Sequence, residues 1–191
     1  MMRIITGRAR GTKLATLAGD NTRPTAERVK EAIFSMIRAE IPDAEVLDLF
    51  AGSGQMGLEA LSQGAVHAVF CDASREAMAV VRANAEKTHL YDESEFFLGD
   101  ARTLLRRFKG QKRFDVVFLD PPYALGAIPS CLELLLSCGL LKNGARIVCE
   151  SAAEADVFGK NDTLCAHFEV LRTTRYGAAC VTVLTPKEGS V

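Results

Sequence analysis

From residue 45 onward the chain alternates between short apolar runs and amphipathic stretches, and this rhythm limits the possible folds more than any other feature. Strand-like runs stand at 45–50, 66–71, 94–98, 114–119, 144–150, 167–174 and 179–185. Helical spacing fills 55–64, 74–89, 101–109 and 127–139, with a weaker stretch near 152–159. A strand followed by a helix, repeated five times, requires crossover connections, which give a mainly parallel sheet covered on both faces. No helical pattern separates the last two runs, and Tyr176-Gly177 suits a tight turn, so an antiparallel hairpin is predicted at the sheet edge. The expected fold is therefore α/β: a mostly parallel seven-stranded sheet with an antiparallel C-terminal hairpin and helices on both faces. A length of 191 residues suits one such domain with a small appendage.

The appendage is the N-terminus. Arg3-Ile4-Ile5-Thr6 and Lys13-Leu14-Ala15-Thr16-Leu17 alternate like a hairpin around Gly7 and Gly11, so residues 1–24 are expected to form a small basic β-hairpin extension and 25–191 the main domain. Thr25 is a plausible N-cap, Glu27 suits a first helical turn, and Val29, Ile33, Met36 and Ile37 predict an amphipathic helix over 26–40, ended by Pro42.

The net charge of −1 conceals an asymmetry: residues 1–30 hold seven Arg and Lys against two acids, a net +5, which leaves −6 for the rest. Such a segment is either a solvated terminus or a polyanion contact, and the hairpin pattern favours the contact. Six scattered cysteines without a Cys-x-x-Cys pair read as reduced core residues, not as a zinc site or a disulfide framework. The apolar runs are too short to span a bilayer, and Met1–Arg8 has no apolar core of a secretory signal, so a cytosolic protein is expected.

Two motifs carry the chemistry. The run at 45–50 leads into Ala51-Gly52-Ser53-Gly54-Gln55-Met56-Gly57, where Gly52 to Gly57 matches G-x-G-x-x-G and Asp72 follows Gly52 by 20 residues. A glycine turn lets a ligand approach the backbone, and a carboxylate such as Asp72 can bond both hydroxyls of a ribose. This fits a nicotinamide dinucleotide as well as S-adenosylmethionine. Asp48, four residues before Gly52, suits the cationic amino-acid portion of the latter better than a pyrophosphate; alternatively it braces the loop. Asp72 could equally be a helix cap beside Ser74. Asp100 is placed to accept from an adenine amine, and with Asp48, Asp72 and Asp120 it falls at or near a strand end. No histidine accompanies these carboxylates, so no metal site is expected.

The second motif is Asp120-Pro121-Pro122-Tyr123, directly after the run at 114–119. Two prolines remove two backbone donors and force an extended path, which stops a strand. A carboxylate, bare carbonyls and an aromatic ring then reach one rim, a set that suits a flat, hydrogen-bonding amine. A hydride-transfer enzyme does not need it.

The order Asp48…Gly52-Ser53-Gly54, Asp72, Asp100, Asp120-Pro121-Pro122-Tyr123 resembles the class I S-adenosylmethionine-dependent methyltransferases, whose fold is Rossmann-like. The tetrapeptide is similar to that of the amino-methyltransferases of nucleic-acid bases. Nearly the whole chain resembles the bacterial 16S ribosomal RNA guanine-N2 methyltransferases, through Arg3-Ile4-Ile5-Thr6-Gly7, Thr22-Arg23-Pro24-Thr25, Gly57-Leu58-Glu59-Ala60-Leu61 and Tyr176-Gly177 besides those motifs. Gln55-Met56 stands where small or aliphatic residues are usual, and Asp72 where Glu is common; neither removes a needed group. The resemblance implies S-adenosylmethionine bound by Asp48, Phe50, Ala51, Gly52, Ser53, Gly54, Asp72, Ala73, Asp100, Ala101 and Asp120. It implies catalysis by Asp120, Pro121, Pro122 and Tyr123, and 16S RNA held by Arg8, Arg10, Lys13, Arg23 and Arg28, within an assembled or assembling small subunit. The other readings are an amino-methyltransferase for another base such as adenine N6, an NAD-dependent oxidoreductase, and a non-catalytic RNA-binding scaffold.

Overall fold

The computed structural model describes residues 2–17, 24–122 and 125–190. Its strands are β1 (Glu45–Asp48), β2 (His67–Asp72), β3 (Ser94–Leu98), β4 (Phe114–Leu119), β5 (Leu141–Ala152), β6 (Phe168–Tyr176) and β7 (Ala179–Pro186). Its helices are α1 (Pro24–Met36), α2 (Gln55–Ser62), α3 (Arg75–Lys87), α4 (Ala101–Phe108), α5 (Ile128–Ser137) and α6 (Asp162–Ala166). The strands form one sheet in the order β3-β2-β1-β4-β5-β7-β6. The first five are parallel; β7 runs antiparallel to both β5 and β6. The terminal hairpin is as expected, with the refinement that its second strand inserts beside β5 and leaves β6 at the edge.

Three local expectations are corrected. Residues 152–159 are not a helix: β5 runs to Ala152, turns follow, and the helix comes later as α6, capped by Asn161 accepting from the Leu164 amide at 3.0 Å. β5 also starts earlier, at Leu141, because Phe114 already pairs with it there. At the front, α1 begins at Pro24 and not after a Thr25 cap; proline suits a first helical position, where its missing N–H costs nothing.

The sheet separates two cores. One face packs Ile33, Phe34, Leu58, Leu61 and Val81 from α1, α2 and α3 against Val46, Phe70 and Phe118. The other packs Leu104, Leu105 and Phe108 of α4 and Leu132 and Leu135 of α5 against Leu47, Val69 and Val117. Strand alternation makes this division, since Val46 and Leu47 point to opposite faces. Five of the six cysteines are buried and all are unpaired; Cys165 is exposed. No described helix is long and apolar enough to cross a membrane.

The N-terminal segment joins the first core. Ile4 and Leu14 are buried in it. The segment is pinched by one antiparallel bridge, Arg3 with Lys13, and by amides of Ile4 and Gly11 donating to Thr12 and Ile4 carbonyls. Its main support is α2. The Glu59 carboxylate, fully buried, accepts the Ile5 and Thr6 amides at 2.8 Å each and pairs with the Lys30 ammonium of α1 at 3.1 Å. Lys30 in turn donates to the Arg3 carbonyl at 2.6 Å. Burial pulls the Lys30 pKa down, and the Glu59 charge opposes it. Gly7, at φ +84°, lies so close to α2 that a Cβ would stand 1.8 Å from the Ser62 carbonyl oxygen.

Candidate active site

Parallel pairing aligns the carboxyl ends of β1 to β4 on one rim: Asp48 lies opposite Phe70 and Phe118, and Asp72 opposite Leu98. Beyond these ends lies a cavity of about 880 Å³. Its wall takes Phe50 to Ser53 after β1, Asp72 and Ala73 after β2, Gly99 to Arg102 after β3, and Asp120 to Pro122 after β4. This is where open α/β sheets place ligands.

The glycine turn is built from conformation and packing together. Gly52 and Gly54 have φ of +53° and +78°, values that L side chains rarely adopt. A Cβ on Gly52 would meet nothing within 4 Å, so the backbone there is bare toward open space. A Cβ on Gly54 would lie 2.3 Å from Val81, and one on Gly57 2.3 Å from Phe70, so those glycines let α3 and β2 approach. The turn is held by Ala51 N–H donating to the Cys71 carbonyl (2.9 Å) and Gly54 N–H to the Ala51 carbonyl (2.7 Å).

The predicted carboxylates divide into two kinds. Asp72 and Asp100 line the cavity. Asp72 accepts from the Gly52 amide (2.9 Å) and the Ser74 amide (2.8 Å), while Ser74 caps α3 by accepting from Ala77. Asp100 caps α4 by accepting from the Thr103 amide at 3.1 Å. Each carboxylate has about four lone-pair sites, so these bonds leave acceptor capacity for a ligand.

Asp48 is different. It is only 3% exposed, does not line the cavity, and accepts the Gly57 amide at 3.0 Å. It braces the turn from beneath. Burial raises its pKa to about 7, against the pull of the Gly57 bond, and the Asp72 charge adds to the rise. The native state therefore holds a proton that the unfolded chain has released above its ordinary carboxylate pKa. The stability this contributes is complete below pH about 4 and is lost as pH rises through about 7. Asp48→Asn, which cannot ionise, is expected to show a flatter stability profile than wild type between pH 4 and pH 8 in urea unfolding.

At the tip of β4, Asp120 and Pro122 are exposed and Pro121 is buried, all three in the cavity wall. The Pro122 carbonyl accepts the Leu125 amide at 2.9 Å. Tyr123 lies outside the described residues, as does Arg23. Of the other basic candidates, Arg8 is exposed but ion-paired with Glu93 at 2.8 Å, and Arg10, Lys13 and Arg28 are exposed. None of these four lines the cavity.

Several wall residues have no signal in the sequence. Met2 and Leu17 reach the cavity from the N-terminal segment, and Arg102, Ser130 and Cys131 from α4 and α5. Burial, with the Asp100 charge, pushes the Cys131 thiol up to about 11, so it stays protonated near neutrality. Asn84 did leave a signal, an amide on the apolar stripe of α3. It joins the turn to the N-terminal segment by donating to the Ser53 and Ala15 carbonyls (2.9 Å each) and accepting the Ala15 amide (2.8 Å).

This strand order, with a glycine turn and acidic strand tips around one cavity, is the class I methyltransferase fold. The family model described as conserved hypothetical protein 95 matches residues 2–185, and the chain belongs to that family. It is 36% identical over 151 residues to the ribosomal RNA small subunit methyltransferase D of Haemophilus influenzae, covering 78% of each chain. It is 38% identical over 157 residues to YlbH of Bacillus subtilis, covering 82% of this chain and 85% of that one. The solved structure of YhhF from Escherichia coli matches with a TM-score of 0.83 and 31% identity, over 97% of this chain and 98% of that one.

Proposed function

We propose that this protein methylates the exocyclic N2 amine of a guanine in 16S ribosomal RNA, with S-adenosylmethionine as donor. The observation that carries the reading is that the glycine turn and the Asp120-Pro121-Pro122 tip share one cavity wall. The residues fit the donor: a bare turn at Gly52, apolar surfaces at Phe50, Ala73 and Ala101, and the Asp72 and Asp100 carboxylates for the ribose hydroxyls and the adenine amine. When bound, the donor supplies a methyl group on a sulfonium, already activated for attack. Asp48 holds the turn in shape from below and supplies negative potential under it when ionised.

The guanine amine is a poor nucleophile because its lone pair is delocalised into the ring. Asp120 accepts one N–H of this amine and the Pro121 carbonyl accepts the other. Two acceptors favour a pyramidal nitrogen and stabilise the positive charge that develops on it. Positioning then carries most of the rate, and no strong base is required. The residue at 123, a tyrosine, stacks on the base, a contact worth ~1–3 kcal/mol in nucleic-acid binders. Residues 1–24 serve as an RNA contact through Arg8, Arg10, Lys13 and Arg23, joined by Arg28, and the RNA is met within the assembling or assembled small subunit, in the cytoplasm.

The test supplies labelled S-adenosylmethionine to small subunits lacking the mark, with nucleoside mass spectrometry as readout. N2-methylguanosine in 16S RNA is expected; transfer to a different base, or none, defeats the reading. In a direct binding titration Asp72→Ala is expected to weaken S-adenosylhomocysteine binding about 10–100-fold, the loss typical of hydrogen bonds to a charged group.

A further inference from the structure

The N-terminal segment is less available to RNA than its charge suggests, because Arg3 is paired with Glu27, Arg8 with Glu93, and Lys30 is buried on Glu59. A second basic region stands on the opposite face of the sheet. Residues 101–113 carry six Arg and Lys and no Asp or Glu. Within this stretch α4 turns Leu104, Leu105 and Phe108 into the core and leaves Arg102, Arg106 and Arg107 exposed, with Lys109 exposed at its C-terminal cap.

Three of the six cations have internal duties: Arg107 lies over the Phe97 ring at 5.5 Å, Lys112 is paired with Glu95 at 2.9 Å, and Arg113 donates to the Leu141 carbonyl at 2.8 Å. The others, Arg102, Arg106 and Lys109, recur at i, i+4 and i+7 along the solvent side of the helix, a ridge of ~10 Å. Arg102 is in the cavity wall, 4.0 Å from Asp100. Arg106 and Lys109 form no ion pair among the described residues.

We infer that the solvent face of α4 is a docking surface for the phosphate backbone of the RNA substrate, running outward from the cavity mouth at Arg102 through Arg106 to Lys109. The cavity then lies between two basic surfaces, the N-terminal segment on one face of the sheet and α4 on the other. A strand laid across the carboxyl rim touches both. Phosphate contacts of this kind add affinity and fix register without reading sequence, leaving the choice of base to the cavity.

This inference rests on RNA being the substrate, and wild-type binding and transfer establish that first. The discriminating variant is Arg106→Gln/Lys109→Gln. Both side chains are exposed and neither lines the cavity, so the melting temperature and S-adenosylhomocysteine affinity should match wild type. Binding to protein-free 16S RNA is expected to fall roughly tenfold at low salt. The slope of log affinity against log salt should flatten by about 1.4, two single-strand phosphates' worth. Unchanged affinity and slope, with wild type active, overturn the proposal while leaving the proposed activity intact. Weakened binding to assembled subunits alone, with protein-free RNA unaffected, assigns the face to a protein of the particle and also overturns it. A wild-type protein that neither binds nor methylates RNA defeats both readings.

Discussion

Glu59→Ala is expected to destabilise the fold by about 3–5 kcal/mol, the usual cost of removing one partner of a buried ion pair. The carboxylate is fully buried and satisfies four groups at once: the Lys30 ammonium, the Ile5 and Thr6 amides and the Gln63 side-chain amide. Its loss strands a buried cation and two backbone donors, against a total stability of about 5–15 kcal/mol for an ordinary domain. The double variant Lys30→Met/Glu59→Met separates these causes. Replacing a whole buried pair by apolar side chains is often neutral, but here the Ile5 and Thr6 amides would still lack an acceptor. The double variant is therefore expected to regain part of the loss and not all of it. Urea unfolding measures both variants. Limited proteolysis should show cleavage within residues 2–17 before the body unfolds, since Glu59 is one of two α2 residues, with Ser62, that tie that segment down. A Glu59→Ala protein as stable as wild type would mean the hydrogen bonds of Ser62 and Asn84, with the burial of Ile4 and Leu14, suffice to hold the segment.

How far the sequence could be read follows from the range of the interactions involved. The short apolar runs around Val46-Leu47 and Val116-Val117-Phe118 are local signals, and their regular alternation with helical stretches announces strands and their parallel pairing correctly. The Gly52 and Gly54 turn is equally local, because a positive φ is a property of single residues. Asp72 and Asp100 could be placed at the cavity because strand ends of a parallel sheet share a rim. The docking of residues 2–17 was not legible. It depends on Glu59, Asn84 and Ser62, which lie 50 to 70 positions away and show only as polar residues inside apolar helical patterns. The same blindness hid Met2 and Leu17 in the cavity wall. Asp48 was half legible: its position near the turn follows from spacing, but its burial and its bond to Gly57 need the helix packed above it. The stretch 152–159 failed because its apolar residues, Val157 and Phe158, reach the core from turns and not from a helix.

Asp120→Ala is expected to lower the rate of methyl transfer 10²–10³-fold, the range found when one group aimed at developing charge is removed. Asp120 is exposed on the cavity wall at the end of β4, next to the buried Pro121, so truncation opens no hole in the core and the fold should survive it. The loss should fall on the single-turnover rate at saturating substrate, since the bond to the amine strengthens only as positive charge grows on the nitrogen. S-adenosylhomocysteine affinity should move less than tenfold, because Asp72, Asp100 and the turn remain. Asp120→Asn is the sharper variant. Its amide keeps one acceptor oxygen but has no negative charge, so its rate should lie between those of wild type and alanine. If charge is what matters, it should lie nearer alanine; if one hydrogen-bond acceptor suffices, nearer wild type. The Pro121 carbonyl remains in all three proteins, which is why a residual rate is expected and not a complete loss. A rate within threefold of wild type for Asp120→Ala would place the amine-activating group elsewhere on the rim, and with it the assignment of this tip to a nucleobase amine would fail.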